Sequence, residues 1–209
     1  MTPDLETEPE AAETLFGAQI ALARRFTANL AASGEERGLI GPLELPRLWT
    51  RHILNCAVVA EVIRPGSVGD VGSGAGLPGL VLAIARPDAH FVLIEPMERR
   101  VTWLNEQVDE LGLSNVTVLR ARAEDVKLRE PLDQVTARAV SAFRKLIPLT
   151  APLLRSGGEL VLMKGAGAAS EINAASKEIK RFGLRDVQVL ALGSGVLEEI
   201  TRVITATVK

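Results

Sequence analysis

From Pro65-Gly66 onward, short apolar runs alternate with segments of helical period, and this alternation constrains the fold more than any other feature. Residues 68–71, 91–94, 116–119, 134–139 and 160–163 read as strands. Between them the periodicity predicts helices over 77–85, 97–111, 142–154 and 168–182. In the second of these, Met97, Val101, Leu104, Val108 and Leu111 share one side, and Gly112 stops the helix. Residues 187–192 and 200–208 read as a closing antiparallel pair. Alternating strands and helices imply a parallel sheet covered on both faces. The expected fold is α/β and doubly wound, with a mostly parallel seven-stranded sheet, an antiparallel C-terminal strand, and the ligand at the carboxyl ends of the strands.

Two helices precede this region. Residues 14–32 place Leu15, Leu22, Phe26 and Leu30 near one face. Residues 46–64 carry a stripe at Trp49, Ile53, Cys56, Ala60 and Ile63. They are too small for an independent domain, so the expected division is a helical cap over 14–64 on a main domain over 65–209. Residues 1–13 hold five acids and no base and read as a solvated, flexible tail; without them the remainder carries a formal charge of +3. That charge leaves room for a nucleic-acid partner but not for a strongly basic, non-specific binder. With 47% hydrophobic and 24% charged residues among 209, the chain can bury a core. One cysteine excludes a disulfide framework and a Cys-cluster zinc site, and two histidines give no His-rich metal site. No apolar run suits a spanning helix and no signal peptide is evident, so a cytoplasmic setting is expected.

The run Asp70-Val71-Gly72-Ser73-Gly74-Ala75-Gly76-Leu77-Pro78-Gly79 follows the first strand. Its glycines let the backbone turn tightly and approach a ligand. The next helix start offers unpaired N–H donors. Glu95 ends the second strand, where a carboxylate can accept from both hydroxyls of a ribose. These features alone do not choose a cofactor, because Gly74, Gly76 and Gly79 also satisfy the dinucleotide G-x-G-x-x-G spacing. Asp70 tips the balance. Its carboxylate would repel a pyrophosphate but tolerates a ligand carrying an ammonium and a sulfonium, as S-adenosylmethionine does. The antiparallel C-terminal pair points the same way.

DVGSGAGLPG, followed by RPDAHFVLIEP, resembles class I methyltransferases. More narrowly the chain resembles the RsmG family, also called GidB, whose members methylate guanine N7 in small-subunit (16S) ribosomal RNA. Further landmarks are RHILN at 51–55, RAED at 122–125, ARAVSA at 137–142 and LMKG at 162–165. The loop before the second helix departs from the Asn-Leu-Thr-Ser of many members. The resemblance implies cofactor contacts from Gly72 and Leu77, with Glu95 on the ribose and Ala123 and Glu124 at the adenine. Periodicity does not separate Glu124 from Asp125. The resemblance also implies 16S ribosomal RNA as partner, within the small subunit or an assembly intermediate, and no membrane. The chain is expected to be a monomer.

Guanine N7 presents a lone pair and no proton, so such a transfer needs in-line positioning rather than a general base. Cations around the acceptor are then the groups to find. Arg138, at the end of the fourth strand, is the first candidate, for the methionine carboxylate or a phosphate; the alternative is a salt bridge to Asp133 or Glu159. Lys164 ends the fifth strand and suits an RNA phosphate or the guanine carbonyl. Arg47 and Arg51 share a helix face as a phosphate ridge, with His52 beside them. Two other function classes stay open: a nicotinamide-dependent oxidoreductase, and a non-catalytic RNA-binding or assembly factor with a methyltransferase-like fold. Small-molecule methylation is also compatible with the fold.

Overall fold

The computed structural model describes residues 4–209. One sheet holds seven strands: β1 (Gly66–Val71), β2 (Ala89–Ile94), β3 (Val116–Leu119), β4 (Leu132–Ala137), β5 (Leu154–Lys164), β6 (Leu184–Leu192) and β7 (Thr201–Val208). Their order is β3-β2-β1-β4-β5-β7-β6. The first five pair in parallel, while β7 runs antiparallel between β5 and β6. The winding reverses between β1 and β4, where Asp70 pairs with Thr136. That is the switch point of a doubly wound sheet. It brings the glycine loop after β1 and Arg138 after β4 to adjacent strand ends.

The central strands are buried over Val68–Val71 and Gln134–Ala137, as a sheet covered on both faces requires, with Asp70, Gln134 and Thr136 as their buried polar residues. On one face, α4 (Gly79–Ala85) and α5 (Glu98–Leu111) share a hydrophobic cluster with the N-terminal helices, joining Phe26, Leu30, Trp49 and Ile53 to Leu80, Phe91 and Trp103. On the other, α6 (Phe143–Thr150), α7 (Ala168–Ala174) and α8 (Ser176–Arg181) cover a second cluster that includes Phe143, Ile147, Leu162 and Ile204. Gly112 ends α5 in the left-handed region (φ 64°), and the N–H of Leu113 returns to the Val108 carbonyl at 3.0 Å. Among the described residues, no helix is long and apolar enough to cross a membrane.

Three expectations need correction. The helix predicted over 14–32 begins earlier and breaks at Gly17 (φ 50°), giving α1 (Ala11–Phe16), a 3₁₀ turn and α2 (Ile20–Ser33). The helix predicted over 46–64 is not uniform. It winds as 3₁₀ at Leu45–Arg47, as a π-helix at Leu48–Leu54, as α3 (Asn55–Ala57), and as 3₁₀ again at Val58–Val62. Its stripe is nonetheless buried at Trp49, Ile53 and Cys56, because burial rather than ideal period fixes the rotation of the segment. The acidic N-terminus, over its described part, packs against the neighbouring helices, while Asp4, Glu10 and Glu13 stay exposed. Glu8 holds Arg24 through both oxygens at 2.7 Å, and Glu13 holds the same guanidinium at 2.8 Å. Glu6 accepts from the Thr50 N–H at 3.0 Å, and Ala12 is fully buried. Residues 1–3 of that expectation lie outside the described residues.

Candidate active site

The glycine loop is held from three sides. Gly72 donates to the Ile94 carbonyl at 2.8 Å. Gly74 donates to Glu95 Oε2 at 2.9 Å, and Trp103 Nε1 donates to the Ala75 carbonyl at 3.0 Å. Gly72, Gly74 and Gly76 all have positive φ, at 74°, 54° and 92°, which explains three glycines within five residues. Gly79 serves a different end. A Cβ there would lie 2.3 Å from a Leu93 methyl and 2.5 Å from Asp70 Oδ2. Its N–H meanwhile donates to that same oxygen at 3.1 Å. Gly79→Ala is therefore expected to destabilise the fold by about 1–3 kcal/mol through overpacking, measured by urea denaturation; an unchanged midpoint would show that α4 shifts freely.

Asp70 is fully buried, and its Oδ1 has no partner. Burial pushes its carboxyl up from 3.8 to about 7, eased by the nearby Ser73 hydroxyl, which itself donates to the Asp70 backbone carbonyl at 2.9 Å, and by the bond from the Gly79 N–H. Glu95 is buried as well, its Oε1 taking the Met97 N–H at 2.9 Å, with Arg100 Nη1 at 3.9 Å from Oε2. Each oxygen keeps a lone pair for another donor. The segment bearing Ala123, Glu124 and Asp125 follows β3, whose last residue pairs with Ile94 next to Glu95. Ala123 packs on the second core cluster, while Glu124 and Asp125 are exposed. Leu77 is buried at the loop's exit.

A cavity of about 880 Å³ opens beside this loop, lined by Arg51, Asn55, Arg138, Ser141, Lys164 and Glu199 among others. Residues 138–142 form the wall between the two. Val140 stands over the loop, for a Cβ on Gly72 would meet its methyl at 2.8 Å. β4 stops at Ala137 rather than running to 139, because Ala139 turns into the left-handed region (φ 55°) and leaves the ladder. Lys164, only 6% exposed, holds this wall: its Nζ donates to the Ser141 carbonyl at 2.6 Å and pairs with Glu171 at 3.0 Å. Two of its three donors are thereby engaged, which differs from the open phosphate contact expected of it.

Arg138 does not pair with Asp133 or Glu159, the alternatives weighed from sequence. Asp133 binds Arg155 and Ser67, and Glu159 binds Arg64 and Gln134. Arg138 instead reaches across to the π-helical segment. Its Nη1 donates to Cys56 Sγ at 3.1 Å and to the His52 carbonyl at 3.4 Å, and its Nη2 donates to His52 Nδ1. His52 is 9% exposed, and its other nitrogen meets Glu44 Oε2 at 2.6 Å. His52, expected beside Arg51 on the RNA side, has both ring nitrogens engaged in this structure and its ring turned inward. Burial lowers the His52 pKa below its ordinary value, with Glu44 opposing and Arg138 reinforcing the shift, and burial raises that of the Cys56 thiol. Arg47 and Arg51 both line the cavity, Arg47 from the 3₁₀ turn and Arg51 from the π-helix, and they share Glu44 as counter-ion at 2.6 and 3.9 Å. Partial burial works against ionisation of Glu44, yet the bonds from His52 and Arg47 hold its carboxyl below the usual range.

Glu44, Val140 and Glu171 escaped sequence reasoning, and Cys56 was read only as part of an apolar stripe. Glu44 lies in an irregular loop with no periodic signal, and Glu171 on a helix read only as cover.

The family described as GidB, rRNA small subunit methyltransferase G, matches residues 19–201. A ribosomal RNA small subunit methyltransferase G of Leifsonia xyli subsp. xyli is 73% identical over 209 residues, covering 100% of both chains. One of Clavibacter michiganensis subsp. michiganensis is 65% identical, over 98% of this chain and 97% of that one. The crystal structure of M. jannaschii TYW2 in complex with AdoMet shares the fold with a TM-score of 0.58 at 20% identity, covering 76% of each chain.

Proposed function

Because this chain belongs to the rRNA small subunit methyltransferase G family, we propose that it transfers a methyl group from S-adenosylmethionine to guanine N7 of 16S ribosomal RNA. The observation that carries the cofactor assignment is the pairing of the buried, half-unpartnered Asp70 with Glu95 across the glycine loop. The residues fit the group. A Cβ on Gly74 would meet only the Gly72 carbonyl, at 3.7 Å, so backbone can approach a ligand closely. Asp70 supplies negative charge toward an ammonium and sulfonium, Glu95 accepts from ribose hydroxyls, and Ala123 with Glu124 flanks the adenine. A pyrophosphate would instead meet two buried carboxyl groups, which disfavours the nicotinamide reading.

When bound, S-adenosylmethionine supplies an electrophilic methyl group. The chain's part is positioning. Guanine N7 has no proton to remove, and no base is needed among the cavity residues. Arg138 directs its charge to the acceptor side: with Nη1 and one Nη2 hydrogen engaged, its Nε–H and second Nη2 hydrogen leave one fork edge for a phosphate. Arg47 and Arg51 flank the same opening and bind the RNA backbone. The cavity has room for a base turned out of its stack, and Val140, which stands over Gly72, borders both it and the cofactor loop.

The test uses labelled cofactor with small-subunit RNA, or with subunits from a strain lacking the enzyme, followed by mass spectrometry of the product. Label should appear in 7-methylguanosine; transfer to another base or to none, with cofactor bound, would remove this assignment. Glu95→Ala is expected to weaken S-adenosylhomocysteine binding by about tenfold or more, the cost of losing charged hydrogen bonds, by calorimetry. A cellular role that survives that loss would favour the non-catalytic assembly reading.

A further inference from the structure

Arg138, His52 and Glu44 form a continuous line from the cavity to the surface of the cap. Arginine carries donors only, so His52 Nδ1 must accept and the proton must sit on Nε2, donated to Glu44. We propose that His52 is a positioning residue: as the neutral Nε2–H tautomer, oriented by Glu44, it aims the Arg138 guanidinium at the acceptor. This rests on the reading of Arg138 as the acceptor-side cation in methyl transfer.

The geometry leaves little alternative direction for the guanidinium. Its Nη1 bonds anchor to the His52 carbonyl on the π-helical segment and to Cys56 on α3 just after it, and the Nη2 bond sets the rotation of the plane. Adding a proton to Nδ1 would turn the acceptor into a donor facing a donor and bring two cations together. Arg138 would then swing away. The groups facing the ring are Glu44 from the preceding loop, Arg138 from the end of β4, and Arg51 from its own segment, with Arg47 on the far oxygen of Glu44. Of these, only Glu44 favours the imidazolium. Burial and the two arginines oppose it, so the acid loss of activity lies below the ordinary histidine range.

The experiment compares full-length wild type, His52→Ala, His52→Asn and Glu44→Gln. His52→Ala is expected to lower kcat about tenfold or more, with the KM for RNA within about twofold, as misaimed catalytic groups do. Asparagine keeps an acceptor near the Nδ1 position but cannot titrate. With S-adenosylmethionine saturating at every pH, so that Asp70 ionisation does not enter the rate, His52→Asn should therefore recover most of the rate and lose the acid limb of the rate–pH profile. Glu44→Gln removes the one anion that favours protonation, so its acid limb should move to lower pH. General destabilisation would move it upward instead. An unchanged rate in His52→Ala, an unchanged acid limb in His52→Asn, or an upward shift in Glu44→Gln would each overturn the proposal. If His52→Ala does not fold, the other two variants decide. Nitrogen-15 spectra of the wild type supply a readout independent of turnover. The chain has two imidazoles, and His90→Gln assigns them. His52 should show protonated Nε2 and bare Nδ1 near neutral pH; the opposite tautomer refutes the proposal even if the RNA substrate is misassigned, and absence of transfer by wild type alone would strike only the parent reading.

Discussion

Arg138→Ala is expected to lower methyl transfer by about a hundredfold or more, the usual cost of removing a preorganised charged donor from a reacting centre. The variant should keep its fold. Arg138 is partly buried, and its deletion leaves His52 Nδ1 and Cys56 Sγ without a donor. That costs about 1 kcal/mol, or about 2–4 °C in a chain of this length. Cofactor affinity should fall no more than about threefold if the guanidinium works on the acceptor side, as its place in the cavity wall indicates. Arg138→Lys should rescue little, because a lysine has one ammonium on a flexible stem. It cannot hold His52 and Cys56 while presenting a forked edge. Single-turnover rates with saturating RNA, paired with calorimetry of S-adenosylhomocysteine, check these outcomes. Full activity would remove Arg138 from the site, and a large loss of cofactor affinity would move it to the methionine carboxylate.

The sheet was legible in the sequence because local rules govern it. β2 and β5 carry apolar runs at Phe91–Ile94 and Leu160–Met163, and the glycines of the loop sit where positive φ demands them. Glu95 was legible for the same reason: it is the first polar residue after β2, at a strand end that must face the ligand crevice. The acceptor side was less readable. The bond between Arg138 and His52 spans 86 positions, and nothing in either segment specifies the other. His52 and Arg51 look alike from sequence, as polar residues on one helix. The π-helical winding separates them, sending His52 inward and leaving Arg51 at the opening. The docked N-terminus eluded composition in the same way. A run of acids signals solvation unless an arginine 16 positions away is held beside it, as Arg24 is beside Glu8. Charge and period report what a residue is; long-range pairing decides which way it points.

Asp70 sets stability against function, and pH should expose the conflict. Unfolded, its carboxyl titrates near 3.8; folded, near 7, because burial in the sheet centre disfavours the anion. Its stabilising contribution is thus fully present below 3.8 and is lost as pH rises through about 7. Asp70→Asn removes this dependence. Between pH 5 and pH 8 the wild type should lose about 2 kcal/mol of stability relative to the variant, the magnitude linkage gives for such a shift. Urea denaturation at the two pH values measures it. An amide at this position should also cut S-adenosylmethionine affinity by about tenfold or more, since a neutral group faces a cation in a poorly screened site. In the wild type the same charge logic couples binding to ionisation. A cationic ligand stabilises the Asp70 carboxylate, so binding near pH 7 should release a proton and weaken as pH falls below that value. Calorimetry in two buffers of different ionisation enthalpy counts the proton. Proton uptake, or equal pH dependence in wild type and Asp70→Asn, would place the cation away from Asp70.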